Sequence, residues 1–256
     1  MALIKEFKKD KLAVKIFDTR AAMGAYAAAA CAKKMKELLA KKSEINMIFA
    51  AAPSQNEFLK SLYTDPEIDF SRINAFHMDE YVGLAKDAPQ GFGNFLRDRI
   101  FSKAPFKSVS YLNGLNPDID AECARYSKLL ADHPVDIVCM GIGENGHIAF
   151  NDPHVAFFND PKAVKVVELD LICRQQQVND GCFKTLSDVP THALTLTIPT
   201  LFSGKNLFCM VPAKTKANAV FATVTGDITE KCPASILRRH DSAILFVDGD
   251  SGSKIL

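Results

Sequence analysis

Between Gly141 and Pro153 the chain reads Gly-Ile-Gly-Glu-Asn-Gly-His-Ile-Ala-Phe-Asn-Asp-Pro. His147 stands there within a few residues of the amides of Asn145 and Asn151 and the carboxylate of Asp152. Glycines such as Gly146 admit backbone shapes that other residues resist, and they let a ligand approach the main chain. An imidazole held in such a turn can pass protons near neutral pH. A second signal lies upstream, where Asp79 and Glu80 close the apolar run Ile73 to Met78. Burial at a strand end draws a carboxylate pKa toward working pH, as a general base requires. Two further junctions, Ala51-Ala52-Pro53-Ser54-Gln55 and Pro212-Ala213-Lys214-Thr215-Lys216, offer the Ser54 hydroxyl, a helix start and the Lys216 ammonium. Acid, base and ammonium together suit proton transfer on an anionic, hydroxyl-rich ligand such as a sugar phosphate.

Each of these groups must sit just beyond a strand for that chemistry to converge. Short β-rich runs alternate with longer helical ones along the chain, the pattern of a parallel sheet with crossover helices. Strands are expected at Ile45 to Ala50, Ile73 to Met78, Val135 to Met140, Val164 to Leu169, His192 to Thr197, Asn206 to Val211 and Ser242 to Val247. Helices are expected over Arg20 to Lys41, from a Ser54 cap to Leu62, over Gly93 to Phe101, from Asp118 or Asp120 to about Ala131, over Gln175 to Thr185, over Lys214 to Thr225, and after Pro233. The fold class is α/β: a doubly wound, mostly parallel, Rossmann-like sheet with helices on both faces. Ligands of such sheets bind beyond the carboxyl ends of the strands, where strand order reverses. No shift in composition divides the chain, so residues 1–256 read as a single domain.

Composition excludes several classes. A formal net charge of +1, with no block of basic residues, gives no reason to expect a nucleic-acid or membrane partner. No apolar run reaches the roughly 18 residues of a membrane helix, and the charged stretch Met1 to Asp10 is no signal peptide. The seven cysteines are odd in number and none has C-x-x-C spacing, which predicts buried reduced thiols, no zinc site and a cytoplasmic location. Gly141-x-Gly143-x-x-Gly146 follows a late strand rather than the first one, so a dinucleotide fingerprint is not expected. His77 reads as structural, and Asp248-Gly249-Asp250 as a turn.

Met78-Asp79-Glu80-Tyr81-Val82-Gly83-Leu84 and Gly141 to Pro153, in that order and spacing, resemble the glucosamine-6-phosphate deaminase (isomerase) family, which shares a superfamily with 6-phosphogluconolactonases. Leu112-Asn113-Gly114, Asp118 to Cys123, Val189 to Thr195 and Pro233 to Leu237 extend the resemblance over most of the chain. It implies ring opening of an amino-sugar phosphate, aldose–ketose isomerisation and expulsion of ammonia, with no metal or cofactor. It makes Asp79 the base that moves a proton between C2 and C1. His147 becomes the group that assists ring opening, Asp152 and Asn145 its supporters, and Lys216 a phosphate ligand, with Ser54 and Gly146 near the substrate. The chain departs from the family at Ala50 to Gln55, where a Gly/Thr-rich phosphate loop is usual. It departs again at Gln177 to Phe183, where no arginine matches and Arg174 is the nearest, and at Asp152, where glutamate is usual. A lactonase-like hydrolase using His147 and water, and a non-catalytic sugar-phosphate sensor, stay open, as does a homo-oligomeric state.

Overall fold

The computed structural model describes residues 2–256; Met1, the first residue of the N-terminal stretch considered above, lies outside them. The chain opens with an antiparallel hairpin, β1 (Leu3–Lys9) and β2 (Leu12–Phe17), that the sequence reading did not anticipate. β1 is largely exposed and lacks a buried apolar face, so no periodicity marks it. There follow α1 (Arg20–Leu39), β3 (Ile45–Phe49), α2 (Asn56–Tyr63), β4 (Ile73–His77), β5 (Asp79–Tyr81), α3 (Phe92–Leu96), β6 (Ser108–Ser110) and α4 (Ile119–Asp132). The rest runs β7 (Ile137–Met140), β8 (Val164–Glu168), α5 (Leu171–Asn179), β9 (His192–Leu196), α6 (Ile198–Phe202), β10 (Asn206–Val211), α7 (Ala217–Thr225) and β11 (Ala243–Asp248).

An eight-stranded sheet has the order β1-β2-β11-β10-β7-β3-β4-β6, parallel throughout except for the β1–β2 hairpin. Successive side chains of a strand face opposite ways, so Met47 and Phe49 enter one apolar core while Ile48 enters a second on the other face. α1 covers the first core with a stripe of Met23, Ala27, Cys31 and Met35, spaced four apart on one helix face. Its start is set by Thr19, whose hydroxyl accepts from the Ala22 N–H at 3.2 Å.

Two expected strands do not join this sheet. β8 and β9 form a separate antiparallel sheet with β5, in the order β5-β9-β8. β8 exposes Val166 and Glu168 between buried neighbours, the half-solvated pattern of an antiparallel sheet. β4 and β5 are separated only by Met78, so the chain leaves the large sheet and enters the small one at Asp79. Several helix boundaries also differ from expectation; the helix expected from Lys214 begins at Ala217 after a 3-10 turn, and Pro233–Arg239 is 3-10. α5 starts earlier than Gln175 because Asp170 accepts from the Cys173 N–H at 3.0 Å, and Gly181, at φ 75°, turns the chain soon after. Ser54 does not cap α2: Pro53–Gln55 form a 3-10 turn ahead of it, and the Ser54 hydroxyl accepts from Gln55 Nε2 at 3.1 Å. α3 begins at Phe92 and runs into a π turn over Arg97–Phe101. Among the described residues no helix is long and apolar enough to cross a membrane.

Candidate active site

β3, β4, β7 and β10 are neighbours in the large sheet, and their carboxyl ends open onto one cavity. Its wall includes Ser54, Asp79, His147, Ala149 and Lys216, so residues far apart in the sequence share one crevice. The small sheet makes this possible. Asp79 pairs in register with Thr195 of β9, and the buried Thr195 hydroxyl accepts from the Phe150 N–H at 3.1 Å. Asn151 ties the same loop to β9 through Leu196, donating to its carbonyl at 2.8 Å. One strand therefore holds both the carboxylate and the imidazole loop.

His147 Nδ1 lies 2.8 Å from Asn145 Oδ1 and 3.0 Å from Asp152 Oδ1. Both neighbours are acceptors, so Nδ1 carries the hydrogen and Nε2 is left for a ligand. Asn145 also donates from Nδ2 to Asp152 at 3.0 Å, and Asp152 accepts from the Asp170 N–H at 3.2 Å. Burial would raise the Asp152 pKa; the hydrogen bond and charge of His147, with the Asn145 and Asp170 donors, outweigh it and hold the carboxyl below its ordinary value. The imidazole rests on Gly143, where a Cβ would stand 2.1 Å from His147 Cε1, so no other residue fits. Gly146 is not on the cavity wall as the sequence reading expected. At φ 85° it shapes the turn, and its absent side chain makes room for Cys232.

Asp79 is buried, and among the described residues its carboxylate has no hydrogen-bond partner. Burial, and then the neighbouring Glu80 charge, push its pKa well above the ordinary carboxylate value. Glu80 itself turns away: it accepts from the N–H groups of Tyr81, Phe92 and Gly93 at 2.9, 3.0 and 2.8 Å and so fixes the start of α3. His77 accepts from the Leu112 N–H at Nε2 and donates from Nδ1 to the Asp79 carbonyl, each at 2.9 Å. Its burial lowers its pKa to about 4, so the ring is neutral and serves to hold the Asp79 backbone.

On the same wall, Lys216 is 6% exposed and its Nζ has no partner among the described residues. Burial lowers its pKa, while Asp180 and Glu144 work in the opposite direction. The turn that delivers it is strained. Ala213 adopts φ 86°, ψ 145°, a region nearly reserved for glycine, and its N–H donates to the Asp248 carboxylate at 3.1 and 3.2 Å. Asp248 is therefore more than a turn residue, a role that only its spatial neighbour reveals. Ala149, at φ 51°, is a second non-glycine with positive φ on the cavity wall. Arg174 does not reach the cavity; its Nη2 donates to the carbonyls of Leu186 and Val189, both at 2.8 Å. Gln176 and Gln177 of α5, Asp180 just after it, Phe92 of α3 and Arg20 of α1 also line the wall, and none of them was anticipated as a site residue.

His147, Asp152 and Cys173 bring possible metal-donor atoms within 4.8 Å of one another. Burial pushes the Cys173 pKa well up, so the sulfur keeps its proton and is a poor ligand. The seven cysteines are all unpaired.

Fold and constellation define a class: an α/β protein whose crevice joins a carboxylate, an imidazole and an ammonium, the groups of acid–base chemistry on an anion. Comparison with known proteins narrows it. The family described as glucosamine-6-phosphate isomerases/6-phosphogluconolactonase matches residues 18–246. The chain is 37% identical over 207 residues to a glucosamine-6-phosphate deaminase of Streptococcus suis, covering 81% of this chain and 86% of that one. It is 35% identical over 224 residues to the deaminase of Listeria innocua, covering 86% and 94%. Among solved structures, a monomeric glucosamine-6-phosphate deaminase superposes with a TM-score of 0.85 at 30% identity, covering 94% of this chain and 98% of its own. The 6-phosphogluconolactonase of Thermotoga maritima shares the fold, with a TM-score of 0.76 at 19% identity over 93% and 100% of the two chains. The chain belongs to the glucosamine-6-phosphate isomerase/6-phosphogluconolactonase family.

Proposed function

We propose that this chain is an amino-sugar phosphate isomerase–deaminase that converts glucosamine 6-phosphate to fructose 6-phosphate and ammonia. The observation that carries the reading is the shared cavity: a carboxylate, Asp79, and an imidazole, His147, lie on the same wall as a buried ammonium, Lys216, whose Nζ has no partner among the described residues. In this reading Lys216 and the Ser54 hydroxyl take the phosphate. His147, with Nδ1 held by Asn145 and Asp152, works through Nε2: it takes the proton of the C1 hydroxyl and passes it to the ring oxygen, opening the ring. Asp79 removes the C2 proton, giving an enolamine, and returns it to C1; the C2 imine that results adds water and expels ammonia, leaving the ketose. A raised pKa makes Asp79 a stronger base once ionised, which suits removal of a carbon-bound proton.

The same reading takes residues 1–256 as one catalytic domain, and places it in a reducing, cytoplasmic compartment in keeping with its unpaired cysteines. The test is coupled ammonia release over a panel of hexosamine 6-phosphates, with the Asp79→Asn variant as control. Ammonia and a ketose phosphate are expected from the wild type, and a loss of at least about a thousandfold in kcat from the variant. Acid release from a sugar lactone without ammonia, or binding with no turnover of any hexosamine phosphate, would overturn the reading.

A further inference from the structure

We propose that Arg20 is an anion-binding residue of this cavity, gripping the substrate phosphate beside Lys216; the identity of the anion rests on the function proposed above. Arg20 occupies the first position of α1, where the helix dipole disfavours a cation, and no acidic residue stands in that first turn to compensate. A residue placed against a local rule calls for a use elsewhere. Its location follows from the packing of two helices. At Gly24 an added Cβ would lie 2.5 Å from Glu57 Cβ, so α1 rests directly on the first turn of α2. One turn earlier on the same face of α1, Arg20 reaches the loop that precedes α2.

There the guanidinium is anchored along one side only. Nε donates to Glu57 Oε1 at 2.8 Å and Nη2 donates to the Pro53 carbonyl. Nη1 has no acceptor among the described residues, and Glu57 Oε2 is buried without a partner. A purely structural Arg–Glu pair has the option of two parallel bonds; this one forgoes it, and Arg20 contributes instead to the cavity wall with Ser54, Thr215 and Lys216. Among the described residues it is the only arginine on that wall.

The loop itself leaves a need for such a group. Ala50, Ala51 and Ala52 carry no side-chain donors, and Pro53 has no N–H. The Gln55 N–H donates to the Ala52 carbonyl and the Asn56 N–H to the Pro53 carbonyl, so both are spent locally. The N–H groups of Ala51, Ala52 and Ser54 have no acceptor among the described residues and can meet an anion, but the loop brings no positive charge of its own, which side chains must supply. The orphaned Lys216 Nζ independently marks the site as one for negative charge. Guanidinium suits the task because it stays charged and presents a planar set of donors to phosphate oxygens.

The test uses the full chain and two readouts, inorganic phosphate binding by calorimetry and steady-state ammonia release. Arg20→Gln is expected to weaken phosphate binding and to raise KM for glucosamine 6-phosphate, each about tenfold or more, with kcat within about threefold. Arg20→Lys should recover part of the loss. Glu57→Gln removes the anchoring charge but keeps the guanidinium, and should leave phosphate affinity within about threefold of wild type or tighten it. Phosphate affinity unchanged in Arg20→Gln, or Glu57→Gln matching Arg20→Gln in every readout, would reduce Arg20 to a structural clamp and overturn the proposal. A wild type that binds phosphate through Arg20 but releases no ammonia would sink the deaminase reading alone.

Discussion

A carboxyl group taken out of water without a hydrogen-bond partner holds on to its proton, and Asp79 is in that position. Its folded pKa lies above the unfolded value of about 3.9, so between the two the folded state binds more protons and stability falls as pH rises. Two outcomes follow. Asp79→Asn should raise the melting temperature at pH 7 to 8, and the gain should vanish below about pH 4, where wild-type Asp79 is protonated in both states. Scanning calorimetry of the two proteins across pH checks this; equal stabilities at pH 8 would mean that the carboxylate is not strained. In turnover, the acid limb of kcat/KM should lie above the ordinary carboxylate range, because the base works only once ionised. Gly143 makes a second residue-scale case. Gly143→Ala drives a methyl into the His147 ring, and a displacement of about 1 Å at a catalytic group can cost on the order of a hundredfold. A matched fall in kcat with an intact circular dichroism spectrum is the expected result.

Among the elements, β9 carries the convergence. Thr195 stands opposite Asp79 and anchors Phe150 and Asn151 of the histidine loop. Thr195→Val keeps the shape and removes the hydroxyl, leaving the buried Phe150 N–H without its acceptor. That should cost about 1–3 kcal/mol in urea denaturation and lower kcat by loosening Asp79 against His147. A variant with wild-type stability and kcat would show that the two halves of the site are held by other means. The turn after β10 offers the opposite sign. Ala213 pays in backbone strain for the placement of Lys216, so Ala213→Gly should relieve about 1–3 kcal/mol of it, less the roughly 0.5–1 kcal/mol that glycine loses through the unfolded chain. A small rise in melting temperature accompanied by a higher KM is the signature sought.

For the whole molecule, the crevice is a place where stability has been exchanged for binding. A buried ammonium and a buried carboxylate, both unpartnered, destabilise the empty protein. A phosphate-bearing ligand should therefore raise the melting temperature with the ordinary linkage dependence, about 2.7 kcal/mol at a hundred times Kd. Lys216→Met should stabilise the empty protein and abolish most of that ligand-dependent gain. A phosphate-induced shift as large in Lys216→Met as in wild type would remove Lys216 from the anion site.

The amino-acid sequence alone determined which residue types were present and which short segments were buried. Apolar runs marked β3, β4, β7 and β10, because a strand covered on both faces must be apolar throughout. The glycine-rich segment marked the histidine turn, because only glycine tolerates its close contacts. Partnership across space was decided by the tertiary structure. Pairing between β5 and β9 is a long-range contact with no local periodicity, so the second sheet was not legible. β1 has no buried face to betray it. Asp248, Thr195 and Arg20 are ordinary residues in their own segments, and they gain their roles only from a backbone amide, a strand partner or a helix crossing contributed by distant parts of the chain. Side-chain chemistry is written residue by residue, while its use depends on desolvation and contact, which exist only once the chain has packed.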